Sequence, residues 1–150
     1  MEVNELKQSL IEQKANLQFF LETLIKQRRA IIENNVQLLE ESVAAEERLL
    51  SRIHNLEQSS KEAIKTLVRT YGLKVQNYSL SMLLKAAAAK SEIKLDDLLE
   101  LKENIQILVN EISRANEHNR ILVNHARSFV RETINALVND KNAPLLDRKF

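Results

Sequence analysis

The sequence predicts an all-α protein: three long helices with a short connecting helix, folded as an antiparallel coiled-coil-like bundle in which the third long helix overhangs. Two observations carry this expectation. A chain of 150 residues with one Gly and one Pro lacks the residues that give hairpins and βα loops their positive φ angles, so it must be built from few, long elements. Its apolar residues, within a composition that is 44% hydrophobic, recur at helical spacing over most of the length, which marks helices packed along one another.

The first helix is expected over residues 2–33. Val3, Leu10, Leu17, Leu24 and Ile31 follow a step of seven, and Leu6, Phe20, Leu21, Ile25 and Ile32 widen the stripe. The second, over 36–70, carries Val36, Leu39, Val43, Leu50, Ile53, Ile64 and Leu67, and it closes where Gly72 follows Tyr71 as a left-handed C-cap. Asn34 and Asn35 form the candidate turn between the two. Because the first phase persists to Leu38, a single continuous helix is the alternative.

Asn77, Ser79 and Ser81 have loop and N-cap chemistry, and the stretch from Met82 to Lys90, with four consecutive alanines, makes a short connecting helix over 80–90. From Asp96, read as an N-cap, the last helix runs over 96–139. Its steps of three and four fall on Leu98, Leu101, Ile105, Leu108, Ile112, Ala115, Asn119, Leu122, Ala126, Phe129, Thr133 and Ala136. Asn139, Asn142 and Pro144 end it, since Pro disfavours helix in the residue before it, and residues 140–150 form a tail. The whole chain, 1–150, reads as a single helical domain.

Lengths constrain the assembly. Segments of about 32, 35 and 44 residues span about 48, 53 and 66 Å. The first two match as an antiparallel hairpin, and the third exceeds the second by about nine residues (44 − 35), so its last turns need a cover from outside that hairpin.

Composition excludes several function classes. With no cysteine there is no disulfide scaffold, thiolate metal site or cysteine nucleophile, and a reducing, cytoplasmic home is natural. The charges, 22 Lys+Arg against 21 Asp+Glu, balance to 0 over residues 1–78, −2 over 79–113 and +3 over 114–150, too thin a basic surplus for a nucleic-acid track. The longest uncharged run, Val75 to Leu84, is half of the ~20 residues that a bilayer requires, so no membrane insertion is expected. Met1-Glu2-Val3-Asn4-Glu5 is acidic where a signal peptide is basic.

Nothing in the sequence reads as an enzyme or calls for a cofactor: there is no Gly-rich loop, nucleophile elbow or paired-carboxylate context. His118 and His125 align with Glu111 and Glu132, but a seven-residue step separates them by about 10.5 Å, too far to share one ion. They read as a solvated salt-bridge ladder, and His54 reads as a surface or boundary residue.

Asn119 occupies a core position, where an unpaired buried amide costs about 1 to 3 kcal/mol. One reading makes it a register device. The other has Asn116 and Asn119, three apart, offering amides to a bound peptide. Beyond Asn119 the apolar arc broadens to Ile121, Leu122, Val123, Phe129, Val130, Ile134, Leu137 and Val138, the pattern of a patch awaiting a partner helix. Charge plays a minor part in such a site, since exposed pairs contribute about 0 to 1 kcal/mol.

The segment Ala115-Asn116-Glu117-His118-Asn119-Arg120-Ile121-Leu122 resembles the Asn-x-x-Asn-x-x-Leu signature on the last helix of the FlgN family of flagellar type III export chaperones. Glu46-Glu47-Arg48-Leu49-Leu50 is similar to that family's acidic stretch leading into a Leu pair, and the length and helix layout agree over nearly the whole chain. The resemblance implies a cytosolic chaperone that binds hook-filament junction proteins as cargo and passes them to the flagellar export gate. It further implies cargo binding by the C-terminal amphipathic helix, here Asn116, Asn119, Leu122, Phe129, Val130, Ile134 and Leu137. The tail departs from the family: Leu146 stands where members place a Tyr, which bears on gate docking. A homodimer is also compatible with the pattern, and the rival expectation is a constitutive coiled-coil scaffold without transient cargo.

Overall fold

A computed structural model describes residues 2–90 and 96–139. It contains four helices, α1 (Glu2–Glu33), α2 (Val36–Thr70), α3 (Leu80–Ala88) and α4 (Asp96–Asn139). The expected long helices are all present. The short connector stops two residues before the expected Lys90, and Asp96 is the first helical residue of α4 where a cap was expected, placing Asp96 and Asp97 in the first turn, where carboxylates suit the positive end of the helix dipole. Asn142, Pro144, Leu146 and the rest of the tail lie outside the described residues.

The two-helix reading of residues 2–70 holds because Asn34 and Asn35 divide the work of the turn. Asn34 takes φ +54°, a left-handed conformation that Asn tolerates better than most residues. The Asn35 N–H donates to Ala30 O at 2.9 Å and the Asn34 N–H to Ile31 O at 3.3 Å, the pair of bonds that closes a helix C-terminus. Asn35 then caps α2, its Oδ1 accepting from the Leu38 N–H at 3.0 Å. At the other end of α2, Gly72 has φ +58°, and the Leu73 N–H reaches back to Val68 O at 2.9 Å, so Leu73 turns into the core. Ser79 caps α3 by accepting from the Met82 N–H at 3.2 Å.

α1 is the central helix, packed along both α2 and α4, while α2 and α4 do not pack along one another. Ser9 and Ser60 lie oxygen to oxygen at 2.8 Å, and Ser9 also donates to Leu56 O at 3.2 Å, so α1 and α2 are antiparallel. Asn16, Thr23 and Ala30 repeat the heptad position of Ser9 and are buried. Asn16 and Thr23 satisfy their side chains on carbonyls of their own helix, Glu12 O and Phe19 O, as short polar residues do in a helix interior.

α4 runs parallel to α1. Lys7 Nζ meets Asp97 Oδ2 at 2.8 Å, and Arg28 Nε donates to Asn119 Oδ1 at 3.4 Å. The offset between partners is 90 (97 − 7) at the first contact and 91 (119 − 28) at the second, so the helices keep register. At the closed base all four helices share one cluster of Leu6, Leu10, Ile64, Leu67, Leu73, Leu83, Ala87 and Leu98, each leucine contributing about 1.5 to 3 kcal/mol by burial. α3 contributes Leu83 and Ala87 to this cluster.

The same offset sets the overhang. Glu33, the last residue of α1, falls level with residue 124 (33 + 91), which leaves 15 residues of α4, 125–139, above the α1–α2 tip. That exceeds the nine expected from lengths alone for two reasons: α1, the helix that α4 packs along, is three residues shorter than α2 (35 − 32), and α4 starts level with residue 5 (96 − 91) rather than with Glu2 at the start of α1. Every residue from Asn124 to Asn139 is exposed.

Candidate functional site

Along its covered length α4 meets α1 with the three-four stripe. Leu98, Ala115 and Asn119 are buried, and Leu101, Ile105, Leu108, Ile112 and Leu122 are half-buried. Above the tip the stripe repeats with nothing beside it. Phe129 stands two heptads after Ala115 (129 − 115 = 14), yet Ala115 is 7% exposed and Phe129 is 70% exposed. Val130, Ile134, Leu137 and Val138 are exposed with it. The hairpin tip, where α1 ends and α2 begins, presents two more exposed apolar side chains, Ile32 and Val36.

A polar junction closes the covered part. Asn119 is 3% exposed, and its Nδ2 donates to Leu24 O at 2.8 Å and to Gln27 Oε1 at 3.0 Å, while its Oδ1 accepts from Arg28. Both amide hydrogens are used, so the desolvation penalty of the buried amide is met within the chain. Gln27 also faces Glu46 of α2: burial raises the Glu46 carboxyl above the ordinary carboxylate range, and a hydrogen bond from Gln27 opposes the rise. Glu46 Oε1 itself is buried without a hydrogen-bond partner. The two segments singled out in the sequence, around Glu46 and around Asn119, thus converge on one residue of α1.

The residues named from the sequence divide into two sets. Asn119 points into the α1 seam as the register reading expects, and Leu122 is half-buried beside it, whereas Asn116 is exposed. Val130 and Ile134 come together with Ala126, Arg127 and Arg131 around a shallow groove, and Phe129 lies on the adjoining part of the stripe. Leu137 extends that face by a further turn. Glu117 and Arg120, exposed between the two sets, form a hydrogen-bonded ion pair that lowers the glutamate pKa and raises that of the arginine. His118, His125 and His54 are all exposed.

Sequence reasoning did not find Gln27 and Arg28 as the partners of Asn119. The signal was present, since both flank Leu24 at helical spacing on the first stripe, but a polar residue there reads equally as the edge of the seam.

The described residues form an all-helical hairpin with a protruding amphipathic third arm, and no helix among them is long and apolar enough to cross a membrane. The family model described as FlgN protein matches residues 1–146. The chain belongs to the FlgN family, a family of flagellar export chaperones. No curated protein and no solved structure matches it.

Proposed function

We propose that this chain is a cytoplasmic export chaperone that holds hook-filament junction proteins by the exposed turns of α4 and delivers them to the flagellar export gate. Family membership supports the chaperone role. The observation that carries the site is the contrast between Ala115 and Phe129, one heptad position that is covered below the hairpin tip and bare above it. A bare apolar stripe on a folded helix gains most by receiving a second amphipathic helix, and the aromatic ring is its natural anchor. Asn119 acts indirectly, by fixing how α4 leaves α1, and Asn116 and Leu122 border the lower end of the site.

The test is titration calorimetry of the chain against purified junction proteins from the same organism, with Phe129→Ala as the control. A 1:1 complex weakened by the substitution supports the reading. Absence of binding to any junction protein, together with an obligate oligomer held through α4, would establish the scaffold instead.

A further inference from the structure

The bare stripe of α4 has two unlike edges. Successive helical residues turn by about 100°, which places Arg127 and Arg131 on the side of Ile134 and puts His125 and Glu132 on the opposite side. Ala126, Val130 and Ile134 line a shallow groove together with Arg127 and Arg131. Arg120, one heptad before Arg127, is neutralised by Glu117. Among the described residues Arg127 and Arg131 have neither an ion-pair nor a hydrogen-bond partner, so the groove carries two uncompensated positive charges along one edge.

The stripe is also continuous with an interface already filled. Ala126 and Thr133 repeat the heptad position of Asn119, and Phe129 that of Ala115, so the geometry that seats α1 below is offered again above. The occupant that fits is a helix lying along the line of α1, beyond the hairpin tip. A second copy of this chain laid antiparallel about a twofold axis would bring like edges together, arginine against arginine, and would supply no counter-charge.

Resting on the reading of α4 as the client site, we propose that its occupant is an amphipathic helix of about four turns bearing acidic side chains along the edge that meets Arg127 and Arg131. Exposed rim charges add little to affinity but select partner and orientation. The acidic edge therefore fixes which way the client helix lies, while Phe129 and Val130 hold it.

The probes are three synthetic peptides sharing one leucine stripe, with the flanking edge made of Glu, Lys or Ser, titrated into the full chain in about 0.1 M and about 0.5 M NaCl. The Glu-edged peptide should bind about tenfold more tightly than the Lys-edged one at low salt, with the gap narrowing at high salt. Arg127→Glu/Arg131→Glu, which changes only exposed side chains, should melt as the parent does and reverse the preference. Equal binding of all three peptides, weakened by Phe129→Ala, overturns the acidic edge and leaves the client site standing. No binding of any peptide overturns both. A chain that is dimeric by light scattering and becomes monomeric as Phe129→Asp makes a second copy the occupant and also overturns the proposal.

Discussion

Asn119 of α4 hydrogen-bonds the main-chain carbonyl of Leu24 in α1 at 2.8 Å, 95 residues away in sequence. The bond sits in the last stretch where α1 still covers α4, so it fixes both the register of the two helices and the point at which α4 becomes free. A buried amide whose hydrogens are both used costs little to keep and much to remove on one side only.

Asn119→Ala should therefore destabilise the chain by about 1 to 3 kcal/mol, through the lost bonds and the unpaired Gln27 and Arg28 groups left behind. Thermal unfolding followed by circular dichroism measures this. An unchanged melting temperature would show that the amide does not pin the helices.

Phe129→Ala and Ile105→Ala should behave differently although both residues lie on the same stripe. Ile105 packs against the base cluster, so its truncation should cost about 2 kcal/mol or more and lower the melting temperature. Phe129 touches little of its own chain, and its loss should leave melting nearly unchanged while weakening junction-protein binding by about 2 kcal/mol, roughly thirtyfold. Paired melting and calorimetry decide it. If the two variants melt equally early, the ring is part of the fold.

Hydrogen exchange should divide α4 at the tip. Amides of residues 124–139 have no packed neighbour and should exchange far faster than those of 98–112, and client should slow the first set selectively. Uniform protection of free α4 would contradict a bare upper half.

Glu46→Gln should raise stability at neutral pH. Burial lifts the folded-state pKa of Glu46 above its ordinary value, so the folded chain holds that proton more tightly than the unfolded one, and stability falls as pH rises through the window between the two values. The cost is complete above the raised value and absent well below the ordinary one. Relative to the parent, the glutamine variant should melt higher at pH 7, with the difference closing as the medium is acidified. A difference independent of pH would assign the effect to packing.

The long elements were legible because a heptad stripe records which face of a helix is buried, whatever it is buried against. Gly72 and Asn34–Asn35 were legible because left-handed backbone and capping are local chemistry. The pairing of helices was harder to read. Nothing in the stripe of Leu98 to Ala136 says that it lies parallel to α1 with an offset of 91, and the underestimate of the overhang follows from that. Asn119 illustrates the same limit: its position announced a buried amide, but its partners, Leu24, Gln27 and Arg28, lie on another helix more than 90 residues away.

The polarity of the rod bears on how the protein reports on itself in light. Its intrinsic emission comes from two tyrosines, since there is no tryptophan. Tyr71 packs at the closed base, and Tyr78 lies in the α2–α3 loop beneath the Lys65 ammonium, 5.5 Å from the ring centroid. Phe129, level with a point five residues beyond the end of α1 (129 − 91 = 38, against 33), is about 50 Å from them at 1.5 Å per residue. A partner without tyrosine or tryptophan that docks at the open end should therefore leave the emission unchanged, and a change in tyrosine emission on adding such a partner would signal rearrangement of the base. A tryptophan placed at Phe129 would make the other end visible, giving two independent colours for the two ends of one rod.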